Sequence, residues 1–548
     1  MVAMPSTPAA HQITVGLGPV SFADVVAVAR GGAGVTIDPA AIKQIADSRE
    51  RIELLAQDSR PHYGVSTGFG ALATRHIEPA QRTELQRSLI RSHAAGAGPE
   101  VEAEVVRAMM LLRLSTLASG RTGVRPQTAE LYAQMLSAGI TPVVHEYGSL
   151  GCSGDLAPLA HVALAAIGEG TVHLTGGAPK GAKDQLVAVA EGQRAETEVG
   201  WPADPVAAAD ALRAHGLTPI TLAEKEGLAL INGTDGMLGQ LILAIVDLSE
   251  LLKLADVAAA MSVEGLLGTD RVFQAHLQQL RPQLGQADSA ANISKLLADS
   301  PIVKSHAGPD DPRVQDAYSL RCAPQVAGAA RDTVAHAREI AGRELCSTID
   351  NPVVTLAGEI ESNGNFHGAP VAFVLDFLAI VAADLASISE RRTDRFLDPA
   401  RNHGLPAFLA ADPGVDSGLM IAQYTQAALV SECKRLAAPA SVDSIPSSAM
   451  QEDHVSMGWS AARKLRRSVD ALRTVIAIEL LTAARGIELR APLTPAPASA
   501  AVIAAIRDAG VGGVGPDRVL APEIERMVAL AASGKLTQAA QAEIGELR

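Results

Sequence analysis

Three stretches of the chain repeat apolar residues every three or four positions over runs far longer than a strand can use. They are GMLGQLILAIVDLSELLKLADVAAAM (236–261), AGAARDTVAHAREIAGREL (327–345) and ARKLRRSVDALRTVIAIELLTAARGIELR (462–490). This spacing is the face of an α-helix. A helix of about 26 residues is roughly 39 Å long, and rods of that length bury their faces against one another in bundles. The packing material agrees. Only 3% of the 548 residues are aromatic, so small aliphatic side chains must fill the core, which suits Ala/Leu helices better than β-sandwiches. The expected fold is mainly α, with a central bundle of long helices over residues 216–490. Residues 1–215 mix short apolar runs with Gly-rich turns and read as a mixed region. The proline-rich APLTPAPAS (491–499) breaks the helical pattern, and residues 491–548 read as a tail of short helices.

Charge and cysteines bound the partners. Lys and Arg total 46 against 60 Asp and Glu, a net charge of −14. No basic stripe suggests nucleic acid. Asp247, Glu250 and Lys253 interrupt one apolar stretch, and Asp376 and Asp384 another, so no membrane segment is expected. The first residues lack a basic stretch followed by an apolar core, so no signal peptide is expected. Four cysteines without a CxxC pair point to a reducing cytoplasm rather than a disulfide framework. The 14 histidines show no metal-ligand spacing, so no metal is expected.

Two motifs satisfy patterns of other chemistries. Gly510, Gly512 and Gly515 match G-x-G-x-x-G, but a helix-like AVIAAIRDA precedes them where a dinucleotide site needs a strand. Gly64-Val65-Ser66-Thr67-Gly68 matches the nucleophile elbow of serine hydrolases. That elbow needs a strand leading into the serine, and DSRPHY contains a proline and no strand run. A hydrolase acting through Ser66 is the alternative from another class.

The segment that carries chemistry is Tyr147 to His161, with Cys152-Ser153-Gly154 at its centre. Glycine permits close backbone approach. In a strained turn the Gly154 nitrogen can attack the Cys152 carbonyl carbon and close a five-membered ring. Loss of that oxygen as water, and of the Ser153 hydroxyl as a second water, leaves an exocyclic methylidene, a strong electrophile. By residue pattern alone, the same segment is a Gly/Ser turn entering a helix, with Ser153 or Asp155 as N-cap.

GCSGDLAPLAH (151–161) resembles the prosthetic-group segment of the aromatic amino-acid ammonia-lyases that use 4-methylidene-imidazol-5-one (MIO). Further islands resemble the same family and occur in its order: HYGVSTGFG (62–70), LQRSLIRSHAAGAG (85–98), GLALINGTDG (227–236), VQDAYSLRCAPQV (314–326), DNPVV (350–354), GNFHGAPVA (364–372) and SSAMQEDHVSM (447–457). The resemblance covers about residues 50–490. It implies an ammonia-lyase/fumarase-like fold. It also implies a homotetramer whose active sites combine three chains, an MIO made from Cys152, Ser153 and Gly154, and no external cofactor.

The resemblance also implies roles. The reaction is loss of ammonia from an α-amino acid with removal of a β-hydrogen. Tyr63 matches the base that takes this proton; free tyrosine has a pKa of about 10, so the site must lower it or use a transient phenolate. Arg321 and Tyr318 match positions that hold the substrate carboxylate, a task suited to a planar guanidinium. Asn232 matches an asparagine near the carboxylate and the prosthetic group; Gln315 and Phe366 match pocket positions. His93 and Glu452 together resemble the histidine-acting members. A buried imidazole substrate needs polar partners, and a carboxylate is poorly matched to a bare phenyl ring. The implied reaction is L-histidine to trans-urocanate and ammonia, with tyrosine or phenylalanine deamination or an aminomutase as the alternative. The sequence departs from the family's usual pattern at Cys152 (commonly Ala), Ala317 (more often Pro) and Met450 (commonly Asn).

Overall fold

The apolar periodicity becomes helices whose two ends do different jobs. The computed structural model describes residues 12–58, 60–174, 204–308, 311, 314–355 and 357–548; the first residues, read above for a leader, lie outside these. In the N-terminal part are α1 (Arg82–His93), α2 (Ala103–Ala118) and α3 (Leu156–Ala166). Small sheets surround them: Gln12–Val15 runs parallel to Gly34–Ile37, and Ala97–Glu100 pairs antiparallel with His145–Tyr147. The long helices follow: α4 (Asp235–Gly265), α5 (Ala323–Leu345), α6 (Ala369–Leu397), α7 (Met420–Leu436) and α8 (Gly458–Glu488).

Contacts at their ends fix the directions. Gly236 at the start of α4 packs on Trp459 at the start of α8, and Gly265 at its end packs on Phe396 and Ile487 at the ends of α6 and α8. Those three helices therefore run parallel. The end of α5 returns to the start of α4, where the Thr234 hydroxyl donates to Glu344 at 2.5 Å. α7 also runs back, with Gln423 near its start donating to Glu390 at 2.6 Å and Gln426 to the Val475 carbonyl at 2.8 Å.

The few aromatic side chains are used where small residues make room. Phe396 is fully buried, and a Cβ on Gly265 would come within 2.8 Å of its ring; Gly486 faces the same ring. Such notches bring helix axes close at the cost of side-chain area. A buried polar knot ties the three parallel helices together. Glu479 on α8 accepts from Ser262 on α4 at 2.7 Å and from Ser389 and Arg392 on α6, both at 2.5 Å.

By length and composition α6 is long and apolar enough to cross a membrane, but 67% of its most apolar window is buried inside the protein. Asp376 on that helix is bound by Lys464 at 2.6 Å and by the Ser441 amide at 2.7 Å, while Asp384 faces solvent. This is a core helix. The tail contains three short helices among the described residues, Pro497–Asp508, Ala521–Ala532 and Lys535–Ile544. The G-x-G-x-x-G pattern falls after the first of them, with no strand before it.

Candidate active site

The loop Leu150–Gly154 lies where the three parallel helices begin. The Met457 amide, capping α8, donates to the Leu150 carbonyl at 2.8 Å. The Gly368 amide, capping α6, donates to the Gly151 carbonyl at 3.3 Å, and the Ser456 hydroxyl donates to the same carbonyl at 2.8 Å. The Met237 amide, in the first turn of α4, donates to Asp155 Oδ2 at 2.8 Å. Three helix N-termini, each carrying roughly half a positive charge, thus converge on one loop.

Asp155 begins α3, yet its side chain does not cap that helix. It reaches across to α4 and accepts a second bond from the Ser149 hydroxyl at 2.9 Å. Burial pushes its carboxyl up to about 7, against the pull of the Met237 amide and Ser149. The simple N-cap reading of the segment is therefore corrected: the turn is tied to another helix.

Gly154 is at φ +79°, and a Cβ there would lie 2.6 Å from the Gly233 nitrogen and closer still to its carbonyl carbon and oxygen. The next amide, Asp155, donates to the Gly233 carbonyl at 2.7 Å. The cradle admits no side chain at this position. That fits a segment whose backbone must fold onto itself, so Cys152, Ser153 and Gly154 suit the ring that the sequence implies.

Other site residues gather here. The Ser153 hydroxyl donates to Glu452 Oε1 at 3.3 Å, and the Ser447 hydroxyl to Glu452 Oε2 at 2.9 Å. Burial, then the Glu452 carboxylate, pushes the Cys152 thiol up to about 12. Burial raises the Tyr63 phenol above its ordinary value; the Gly70 amide, donating to its oxygen at 3.2 Å, opposes this and Glu452 adds to it. Burial holds the His93 imidazole below its ordinary value, with the Leu89 carbonyl and Glu452 pulling the other way. His93 Nδ1–H donates to the Leu89 carbonyl at 2.9 Å, which leaves Nε2 as an acceptor. Asn232 donates from Nδ2 to the Asn351 carbonyl at 3.1 Å, and its buried Oδ1 has no partner among the described residues. Phe366 is half-buried, two residues before the Gly368 amide that holds the loop.

Gln315, Tyr318 and Arg321 are elsewhere in the chain. They form their own cluster, with Arg321 Nη2 donating to Gln315 at 2.8 Å and the guanidinium over the Tyr318 ring at 4.6 Å. Neighbouring Asp316 accepts from the Thr269 amide at 2.8 Å, just past the end of α4, and the Ser319 carbonyl accepts from Arg392 near the end of α6. α4 has 31 residues, so about 46 Å of helix separates this cluster from the loop.

Sequence reasoning did not single out Gly233, Ser447, Ser456 or Met237. Gly233, Ser447 and Ser456 lie inside the motif islands, which was the available signal; their contacts are tertiary. Ser66 is fully buried, its hydroxyl accepts from the His62 amide at 3.0 Å, and no strand leads into it. It is not the exposed nucleophile of a hydrolase elbow.

The fold and this loop define an enzyme of the aromatic amino acid lyase class. The model of that family, aromatic amino acid lyase, matches residues 20–508, and the chain belongs to the family. The chain is 60% identical to the histidine ammonia-lyase of Streptomyces avermitilis, over 98% of this chain and 100% of that one. It is 48% identical to that of Anaeromyxobacter dehalogenans, over 93% and 97%. Among solved structures it is similar to the tyrosine aminomutase of Streptomyces globisporus (TM-score 0.87, 36% identity, 98% and 100% covered). It is also similar to the histidine ammonia-lyase of Trypanosoma cruzi (TM-score 0.85, 36% identity, 98% and 96% covered).

Proposed function

We propose that the protein eliminates ammonia from L-histidine to give trans-urocanate, using an MIO formed from its own Cys152, Ser153 and Gly154. The observation that carries the substrate choice is the juxtaposition of Glu452 and His93. Both carry acceptors, the Glu452 carboxylate beside Ser153 and the His93 Nε2, and the two residues are close enough for Glu452 to act electrostatically on His93. An imidazole has an N–H to give. A phenyl ring has none, and would cover the carboxylate without adding a donor to those of the serines. The relatives named histidine ammonia-lyase support the same reading.

An MIO made from Cys152, Ser153 and Gly154 would supply electrophilic chemistry toward the substrate's nitrogen, making it a better leaving group. Tyr63 takes the β-proton. Its phenol is raised, so the phenolate is transient, held by the Gly70 amide. Asn232, with its buried and unpartnered Oδ1, lies near the carboxylate and the prosthetic group, and Phe366 walls the pocket. Arg321 and Tyr318 hold the carboxylate from a second copy of the chain, with Gln315 beside Arg321 as a pocket residue, since the chain's own cluster lies at the far end of the bundle. Exposed apolar side chains on α6 (Phe373, Phe377, Ile380) and α7 (Ile421, Tyr424) support a homotetramer. The partners are then a small amino acid and other copies of the chain, with neither metal nor nucleic acid. Four unpaired cysteines support a reducing cytoplasm.

The test is an intact mass with a histidine assay. Formation of the MIO removes two waters, so the mass should fall short of the sequence by about 36 Da, and L-histidine should yield urocanate absorbance in the ultraviolet. Full mass in an active preparation refutes the MIO. Turnover of tyrosine or phenylalanine but not histidine refutes the substrate. Restoration of activity on mixing and reassembling Ser153→Ala with Arg321→Ala chains, each inactive alone, is expected for shared sites.

A further inference from the structure

Lys225 and Asp350 are fully buried, and their side chains form an ion pair at 2.5 Å. Burying two charges costs several kcal/mol per ion before their attraction repays it, so such a pair is weak evidence of a device for stability. Lys225 also sits at φ +73°, a left-handed conformation uncommon outside glycine. A buried ion pair on a left-handed backbone is a costly arrangement, which asks what the pair holds.

It holds two site-bearing loops. The Lys225 amide donates to the Gly64 carbonyl at 3.1 Å, immediately after Tyr63. A Cβ on Gly64 would come within 3.5 Å of Lys225 Cδ, so the tyrosine loop rests on the lysine stem. At the other end, Asp350 Oδ1 accepts from the Asn351 amide at 2.8 Å, and the Asn351 carbonyl accepts from Asn232 Nδ2 at 3.1 Å. Arg113 closes the circuit from below. It donates to the Asn232 carbonyl at 3.0 Å and to the Ile349 carbonyl at 2.9 Å, and pairs with Asp235 at 3.2 Å. One residue thus connects the loop that carries Tyr63 to the carboxamide of Asn232, whose buried Oδ1 has no partner among the described residues.

We propose that Lys225, through Asp350, is a positioning residue that fixes Tyr63 and Asn232 relative to each other, so that base and carboxamide meet the same substrate in register. This rests on the ammonia-lyase reading above. Lys225 touches no substrate. Its removal acts through Tyr63 and Asn232, and a displacement of about 1 Å at such groups costs roughly 100-fold in rate.

The experiment begins with wild-type enzyme, whose mass deficit and urocanate formation establish the parent reading; their absence defeats that reading rather than this one. Lys225→Met alone strands a buried carboxylate, so the principal variant is Lys225→Met/Asp350→Leu, an apolar pair of similar volume. It is expected to keep the mass deficit and thermal stability while kcat for histidine falls about 100-fold. In a Tyr63→Phe background, the same pair should lower the residual rate by no more than about threefold. A purely structural role would cost the same factor in both backgrounds. Should the double variant fail to fold, Asp350→Asn, which keeps the volume and the bond to the Asn351 amide, is tested in the same two backgrounds. The inference is overturned by a folded, fully modified variant with kcat within about threefold of wild type, by equal losses in the two backgrounds, or by loss of the modification itself.

Discussion

Gly154→Ala isolates the demand that the loop makes on one backbone position. At φ +79°, an alanine costs roughly 1–2 kcal/mol more than glycine. The new methyl would also lie 2.6 Å from the Gly233 nitrogen and nearer still to its carbonyl. Gly233 cannot retreat, since a Cβ there would already stand 2.6 Å from Arg113 Nη2. Overpacking of this kind costs about 1–3 kcal/mol. Relief requires breaking the buried Asp155-to-Gly233 bond of 2.7 Å, worth about 1–3 kcal/mol more. The sum, about 3–8 kcal/mol, exceeds the effect of most single substitutions. The loop should move instead of the bundle, carrying the Gly154 nitrogen away from the Cys152 carbonyl. Intact mass should then show the unmodified chain, urocanate formation should be lost, and the helical circular dichroism should be retained. Gly216→Ala is the control: its φ of +69° is similar, but no atom lies within 4 Å of the added Cβ, so the modification and activity should survive. A Gly154→Ala protein with the full mass deficit and wild-type turnover would refute the crowding argument.

Three further outcomes are expected. Glu452→Gln removes the carboxylate that, after burial, raises the Cys152 thiol to about 12; alkylation of Cys152, followed by peptide mapping against pH, should shift to lower pH, and an unchanged profile contradicts the assignment. The Asp155 carboxyl is held at about 7 by burial against about 3.9 in the unfolded chain. The folded state therefore keeps a proton that the unfolded state releases. That contribution is complete below pH about 4 and disappears by about pH 7, a change of about 4 kcal/mol. Asp155→Asn should accordingly gain stability relative to wild type between urea melts at pH 5 and pH 8. Arg392→Met leaves Glu479 buried with only its two serine partners, and the denaturation midpoint should fall by the equivalent of about 3–5 kcal/mol; no change would mean that Glu479 is satisfied without the arginine.

What the sequence disclosed follows the range of the interactions. The run at 236–261 lies within α4, and that at 462–490 lies within α8 up to its last two residues, because an uninterrupted 3.6-residue period is local information. Asp376 and Asp384 in α6 argue against a membrane span from the sequence alone, but the group that neutralises Asp376 is not local: Lys464 is 88 positions away. Tyr63, His93, Ser153 and Glu452 could be named from their motifs, but their convergence could not, since Ser153 and Glu452 are 299 positions apart. Asp155 was expected at its own helix's N-terminus and serves that of α4, because the tertiary fold brings a second unsatisfied N–H closer to its carboxylate than its own.

The bundle's directions bear on why the site should be shared. α4, α6 and α8 point one way, and α5 and α7 return. Three dipoles against two leave one uncancelled, with its positive end at the Cys152-Ser153-Gly154 loop and its negative end towards the Gln315–Arg321 cluster. That cluster carries a cation whose charge suits the helix C-termini beside it. A second copy packed antiparallel by a two-fold axis would cancel the residual dipole and cover the apolar faces of α6 and α7. It would also bring its own Arg321 towards the first copy's loop. On the proposed reading, the positive potential at the loop would stabilise negative charge developing there, and the second copy's Arg321 would meet the substrate's carboxylate. A single chain supplies each half at opposite ends of the same helices, so bundle length, dipole balance and carboxylate binding all favour the same assembly.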